Sequence, residues 1–312
     1  GGGNIFTYNI VNYLRNNNVC VEYNLNSTIN MFLIIDPFPG KYKKFGLKDI
    51  IDFKLKYKLN SKIVLRVNDC DVTRSNVKPE NSREMCIYRN HKNINFLIYN
   101  SDFIRKYYLD KYPQMKKIDN CVIYNGGNSK IFYPLKDMTL NHKETIKIVT
   151  HHWSDNINKG YDIYYRLWKY AQRKHSGIEF IFIGRKFNDK YKNEVKVVGP
   201  YKGKELADEL RKCHMYITAS INDSCPNHVI EGLLCGLPVL YIDHPGGGKD
   251  LCELITDCKV GEKFSSFVDL INNIHMIRKH YNSYKNNIIK NIELFENNIC
   301  YNNYLEKMQQ LI

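Results

Sequence analysis

The chain has 312 residues, 43% of them hydrophobic and 13% aromatic, and carries a net charge of +14 from 46 Lys plus Arg against 32 Asp plus Glu. This excludes a disordered chain and leaves length for two medium domains. The basic excess points to an anionic partner (nucleic acid, a lipid surface or a phosphorylated substrate). The scatter of the basic residues, in a chain rich in Lys, Asn, Ile and Tyr, fits an AT-rich coding bias equally well.

The N-terminal glycines run into the helical "NIFTYNIVNYLRNN". After them, "VCVEYNL" and "MFLIID" read as strands and "GLKDIIDFKLKYKL" as an amphipathic helix. "SKIVLRV" and "NFLIYNS" are further strands, "SDFIRKYYLDKY" a helix, and "CVIYN" a fifth strand. "GGNSKIFYPLKDMTLNHKE" has no periodicity and reads as a linker. A second series follows. The strands "IKIVTHH", "IEFIFIG", "EVKVVG", "MYITAS" and "PVLYID" are interleaved with the helices "GYDIYYRLWKYAQRK" and "GKELADELRKC". From about Ser265 the chain reads as helices. Alternating strands and helices predict parallel sheets covered on both faces, so the fold class is α/β with two Rossmann-like domains facing a cleft. The predicted domains are residues 1–138 and 139–312, with the last helix able to cross back to the first domain. Ligands of such sheets bind at the carboxyl ends of the strands.

The 10 cysteines show no Cys-x-x-Cys pair, which speaks against zinc spacing and a disulfide framework and for a reducing, cytoplasmic setting. No apolar run approaches the roughly 20 residues of a membrane span. The chain opens on Gly1 without a Met, so its natural start is expected upstream.

The most informative block is "SINDSCPNHVIEGLLCGLPVLYID", residues 220–243. It reads as a loop, a short helix opened by Pro226, a Gly-x-Pro turn and a strand, with Ser224 as a helix cap. Asn227 and Glu231 are four apart and share one helix face. Free N–H groups at such a helix start suit a phosphate or sugar oxygen. The plainer alternative makes Asp223 a helix cap and Glu231 a solvated charge.

This block resembles the donor-binding motif of retaining GT-B glycosyltransferases of family 4, also called glycosyl transferases group 1. That motif has two acidic residues eight positions apart, followed by Gly-x-Pro. Further segments resemble the same family in the same order: "VIYNGGNSKIFYP", "NKGYDIY", "HPGGGKDL" and the N-terminal "GGG". The resemblance implies a retaining transfer of a sugar from a nucleotide-diphosphate sugar to an acceptor hydroxyl on a glycan, lipid or protein-linked chain, with no metal and no other cofactor. It implies that Glu231 binds the ribose hydroxyls, that Asp223 lies near the transferred sugar, and that Lys159 neutralises the leaving diphosphate. Gly2, Gly3, Gly247 and Gly248 would allow close backbone approach to the donor or acceptor. Two positions depart from the pattern. The first acidic residue is Asp223 where Glu is usual, and "HHWSDN" stands where an arginine usually precedes the lysine, so His151, His152 or Trp153 would contact the donor instead. His151 and His152 ending a strand is the plainer alternative.

Three readings remain beside this one. Asp69-x-Asp71 after a strand is the pattern by which another glycosyltransferase class holds a divalent metal. In the two-domain reading, Arg66, Asn68 and Asp69 are instead acceptor-side residues. The same fold also carries nucleotide-sugar epimerases. A basic binding module for nucleic acid or an anionic membrane has its best surface at residues 41–59, around Leu47, Ile50, Ile51, Lys54 and Lys58. A peripheral membrane contact is compatible with the transferase reading, which expects no nucleic acid.

Overall fold

The computed structural model describes residues 2–40, 44–74, 77–135, 140, 144–154, 156–191, 194–244 and 249–312. The chain divides into two compact units. One comprises residues 1–125 and 298–312, the other residues 126–297. The boundary expected from the sequence, 138/139, lies further along the chain.

In the first unit, strands β1 (Met31–Ile34), β2 (Lys62–Val67), β3 (Phe96–Tyr99) and β4 (Asp119–Val122) form a parallel sheet in that order. Its helices are α1 (Gly2–Asn16), α2 (Leu47–Lys56), α3 (Arg83–Arg89) and α4 (Asp102–Lys111). The central strands β2 and β3 are buried on both faces. Ile63, Leu65 and Leu97 pack with Leu47, Ile50 and Ile51 of α2 and Ile104 and Tyr108 of α4. Val64, Phe96 and Ile98 pack instead with Phe6, Ile10 and Leu14 of α1 and with Tyr301, Tyr304 and Met308 of the chain's last helix. Thus the apolar stripe of α2, the membrane-surface candidate, is spent in the core, leaving the basic Lys58 exposed. "VCVEYNL" forms no strand. Val19, Val21 and Leu25 pack as partly buried side chains at the edges of these clusters.

The second unit holds β5 (Ile146–His152), β6 (Ile178–Gly184), β7 (Val197–Val198), β8 (Met215–Thr218), β9 (Val239–Ile242) and β10 (Gly261–Phe264). All pairs are parallel, in the order β10-β9-β8-β5-β6-β7. The chain winds outward from β5 through β6 and β7, then returns to place β8 on the other side of β5. The carboxyl ends of β5 and β8 therefore flank a topological switch point, where crossover connections diverge and leave a crevice. The "GEKF" strand β10 lies in a stretch that the sequence reading passes over.

Helices α5 (Tyr161–Ala171), α6 (Gly203–Leu210), α7 (Asn227–Leu234), α8 (Lys249–Asp257), α9 (Phe267–Lys279) and α10 (Tyr281–Asn291) cover this sheet, and α11 (Asn297–Leu311) closes the chain. Strand alternation sorts the neighbours. Ile146 and Ile148 of β5 and Met215 and Ile217 of β8 pack with Tyr164 and Leu167 of α5 and with Ile274 and Ile277 of α9. Tyr216 points the other way, onto α7. There Gly232 lies so close that a Cβ on it would stand 2.6 Å from the Tyr216 ring. Residues 126–135, read as linker, are pinned to this unit. Phe132 is buried, Arg211 donates to the Ile131 carbonyl and stacks over Tyr133, and Gly127 bridges to Glu296.

Gly232→Ala is expected to destabilise the protein by about 1–3 kcal/mol through overpacking against Tyr216. Urea unfolding should show a lower midpoint at unchanged slope; an unchanged midpoint would contradict this packing.

Candidate functional site

The site grows from the end of β5. Val149 pairs with Tyr216, so His151, two residues on, shares the α7 face of the sheet, and His152 takes the opposite, α5 face. Both histidines are buried. His151 Nε2 lies 2.7 Å from Glu231 Oε2 on α7. His152 Nε2 lies 2.8 Å from the Tyr164 hydroxyl on α5, whose oxygen accepts the Ala219 N–H at the end of β8. The two plain strand-end histidines thus tie the sheet to a helix on each face.

Two loops meet beside them. The Ile221 N–H donates to the Asn158 carbonyl at 2.7 Å, joining the loop after β5 to the loop after β8. Gly160 makes the approach possible. It sits at φ +75, and a Cβ there would stand 2.1 Å from the Ala219 carbonyl oxygen. The turn holds Lys159 Nζ 2.5 Å from Asp223 Oδ2, each side chain about four-fifths buried. Helix α7 starts at Asn227 with Pro226 as its cap residue, so Ser224 is not the cap expected from the sequence.

His228, one residue into α7 and three before Glu231, links the two carboxylates. Its Nδ1 lies 3.0 Å from the Tyr216 hydroxyl, which is also 3.1 Å from His151 Nδ1 and accepts the His151 backbone N–H at 3.1 Å. Carboxylates only accept, so His151 Nε2–H donates to Glu231. The Tyr216 hydroxyl, with its one proton, lies between His151 Nδ1 and His228 Nδ1. His228 Nε2 makes no hydrogen bond and stands 3.7 Å from Asp223 Oδ2.

The electrostatics follow this arrangement. Burial pushes the Asp223 carboxyl up, but the charge and hydrogen bond of Lys159, with His228, outweigh it and hold the group well below the usual carboxylate range. Burial lowers His228, and Lys159 and His151 oppose its charging; Asp223 offsets only part of this, leaving it at about 4. Burial and the neighbouring His228, Lys159 and His151 push His152 well below the ordinary imidazole value.

The structure thus brings together Lys159, Asp223, Glu231 and His151 of the residues expected from the sequence. Asn227 is exposed at the start of α7, and Trp153 is exposed with Lys202 Nζ 5.8 Å from its ring centre. Gly247 and Gly248 lie outside the described residues; Gly2 and Gly3 open α1. Sequence reasoning missed His228 and Tyr216. The three-residue spacing from His228 to Glu231 is visible in the sequence; the register that sets Tyr216 opposite Val149 is not.

In the first unit, the Arg66 guanidinium is buried 4.2 Å from the centre of the Phe6 ring and donates to Asn125. Asp69 is ion-paired with Arg74. The Asn68 carbonyl accepts from Asn100. Asp71 accepts the Ser82 hydroxyl at 2.6 Å. Both carboxylates of the Asp-x-Asp pattern therefore have internal donors. Among the described residues, no group of three or more His, Cys, Asp or Glu is placed to hold a metal ion.

Residues 146–274, the core of the second unit, match the family model described as glycosyl transferases group 1. No curated protein matches the chain. Solved structures similar to it include sucrose-phosphate synthase from Thermosynechococcus elongatus, at 17% identity and TM-score 0.64, covering 83% of this chain and 70% of that one. The pneumococcal O-GlcNAc transferase GtfA in complex with UDP and GlcNAc is 11% identical at TM-score 0.65, covering 90% of this chain, which spans only 56% of GtfA. Anabaena HepE in complex with UDP-glucose is 14% identical at TM-score 0.64, covering 90% of this chain and 79% of that one. The α/β fold with its parallel sheets is that of these GT-B glycosyltransferase structures.

The depressed His228 has a sign that can be tested. Its folded value of about 4 lies below the unfolded imidazole, so its contribution to stability is complete above about pH 6.5 and is lost as pH falls toward 4. Stability should therefore drop across that window, and His228→Asn should remove from the drop a share on the order of 3 kcal/mol. Urea midpoints of both proteins from pH 4 to 7.5 measure it. Parallel curves would show that His228 is not held neutral.

Proposed function

We propose that the protein is a retaining glycosyltransferase that moves a sugar from a nucleotide-diphosphate sugar to an acceptor hydroxyl on a glycan or glycolipid, without a metal. The observation that carries this reading is the placement of Lys159, Asp223 and Glu231 around the switch point of a sheet whose residues 146–274 match glycosyl transferases group 1. The nucleotides in the GtfA and HepE structures support a donor of this class. Retention rests on the resemblance of residues 220–243 to the donor motif.

Each residue has a role that fits its chemistry. Glu231, about a quarter exposed, has lone pairs beyond the one His151 uses and accepts the two ribose hydroxyls. Lys159 turns from Asp223 to the diphosphate and stabilises the charge that develops as the sugar leaves. Asp223 lies beside the transferred sugar. Asn227, at the exposed start of α7, and Trp153 contact the donor. The main-chain approaches at Gly2, Gly3, Gly247 and Gly248 belong to the same proposal, as do acceptor contacts from the segment of Arg66, Asn68 and Asp69. No described helix is long and apolar enough to cross a membrane. A cytoplasmic enzyme that touches an anionic membrane peripherally would reach a lipid-linked acceptor, and the net charge of +14 favours that contact.

Thermal shift and donor hydrolysis across UDP-, GDP- and ADP-sugars, with and without EDTA, test this. One donor should stabilise the protein regardless of EDTA, and Glu231→Ala should weaken its binding by about 10- to 100-fold, the worth of charged hydrogen bonds. Lys159→Ala should lower kcat by about 100- to 1,000-fold with a smaller change in KM. A requirement for Mn²⁺ or Mg²⁺ would overturn the metal-free part. Silence toward every donor would overturn the whole.

A further inference from the structure

Among the described residues, two buried polar atoms beside the site have no hydrogen-bond partner, Ser220 Oγ and His228 Nε2, and the second faces the carboxylate on which Lys159 rests. Among the described residues, charged and titratable groups face that ring from four elements. From the loop after β8 comes Asp223, at 3.7 Å; from the turn before α5 comes Lys159; from β8 comes the Tyr216 hydroxyl, at 3.0 Å. From β5 come His151 and His152, with ring centres 5.9 and 4.7 Å away. Glu231 on α7 itself is occupied by His151. Among the described residues, Asp223 is thus the negative charge facing that nitrogen, and Lys159 is the positive charge paired with it.

We propose that His228 is a positioning residue that takes up a proton when Lys159 leaves Asp223, replacing the lysine as counter-ion and holding the carboxylate in place. The inference rests on the proposed function for its trigger, since a donor diphosphate is what draws Lys159 away. A carboxylate four-fifths buried cannot lose its cation without either protonating or finding another. The nearest ring nitrogen is His228 Nε2, 3.7 Å from Asp223 Oδ2. The ring takes a proton from solvent, and Nε2–H then makes a charge-assisted bond to Asp223 Oδ2 while Nδ1–H stays on the Tyr216 oxygen. The neutral form in the resting protein is consistent with this: burial most of all, and then the Lys159 charge, depress His228.

Two experiments on the full chain separate the trigger from the response. The first needs no ligand. In Lys159→Gln the His228 ring, identified in NMR spectra by its loss in His228→Asn, should titrate at or above the ordinary imidazole value, a rise of about 2 units or more from the resting value near 4. Lys159→Arg, which keeps the charge, should leave the titration low. A His228 that still titrates near its resting value in Lys159→Gln, with the fold intact by circular dichroism, overturns the inference. The second uses the unaltered protein, so it stands even if the lysine variant fails to fold. Calorimetry at pH 6.5, in two buffers of different ionisation enthalpy, measures protons taken up on binding UDP-glucose, GDP-mannose or ADP-glucose, whose diphosphodiesters do not titrate there. Uptake of about 0.5 to 1 proton per donor bound, absent in His228→Asn, is the expected result. Binding without uptake overturns the role of His228 and leaves the proposed function standing. Binding of none of the three overturns both.

Discussion

The 2.5 Å contact of Lys159 with Asp223 is the constraint around which the second unit is arranged. Two opposite charges can be held largely out of water only when each has the other and the backbone fixes their separation. Here the fixing is done by main chain. The Ile221 N–H reaches the Asn158 carbonyl, and Gly160 turns in the left-handed region against Ala219, where any side chain would collide. Tyr164, from inside α5, then takes the Ala219 N–H. The two loops become one surface at the end of two adjacent parallel strands.

The same constraint sets the chemistry of its neighbours. A cation and a carboxylate in contact present little net charge, so nothing nearby compels the histidines to ionise, and burial keeps His152 and His228 neutral. Neutral histidines carry direction: one nitrogen gives and the other accepts. Glu231 can only accept, so it takes the His151 Nε2–H, and at the other end of the line His228 Nε2 has no partner. The line of side chains runs between Asp223 and Glu231, the two residues that the sequence spacing singles out.

Legibility in the sequence follows from how local each signal is. The strands buried on both faces, such as "KIVLRV" and "IEFIFIG", read directly because apolar runs bounded by turns have few other solutions. "VCVEYNL" has the same look but no strand beside it, and packing alone made use of its apolar residues. "EVKVVG" yields only the two-residue β7, because a sheet-edge strand is limited by what its one neighbour pairs. Ile131 and Tyr133 sit in a segment without periodicity, and their docking on Arg211 is a contact across some 80 residues that no window sees.

The site divides the same way. Asp223, Glu231 and Lys159 were legible because their neighbours, Pro226, Gly160 and the Gly-x-Pro turn, are backbone-dictated. His228 and Tyr216 were not, because their importance depends on strand register. Val149 opposite Tyr216 places the hydroxyl under His151; a shift of one residue would turn Tyr216 to the α5 face and break the line between the carboxylates. Gly232 belongs to this account as well. Without its bare backbone α7 would stand off from the Tyr216 ring, and both His228 and Glu231 ride on that helix. A glycine, ordinarily helix-weakening, is what lets α7 bring His228 to Tyr216 and Glu231 to His151.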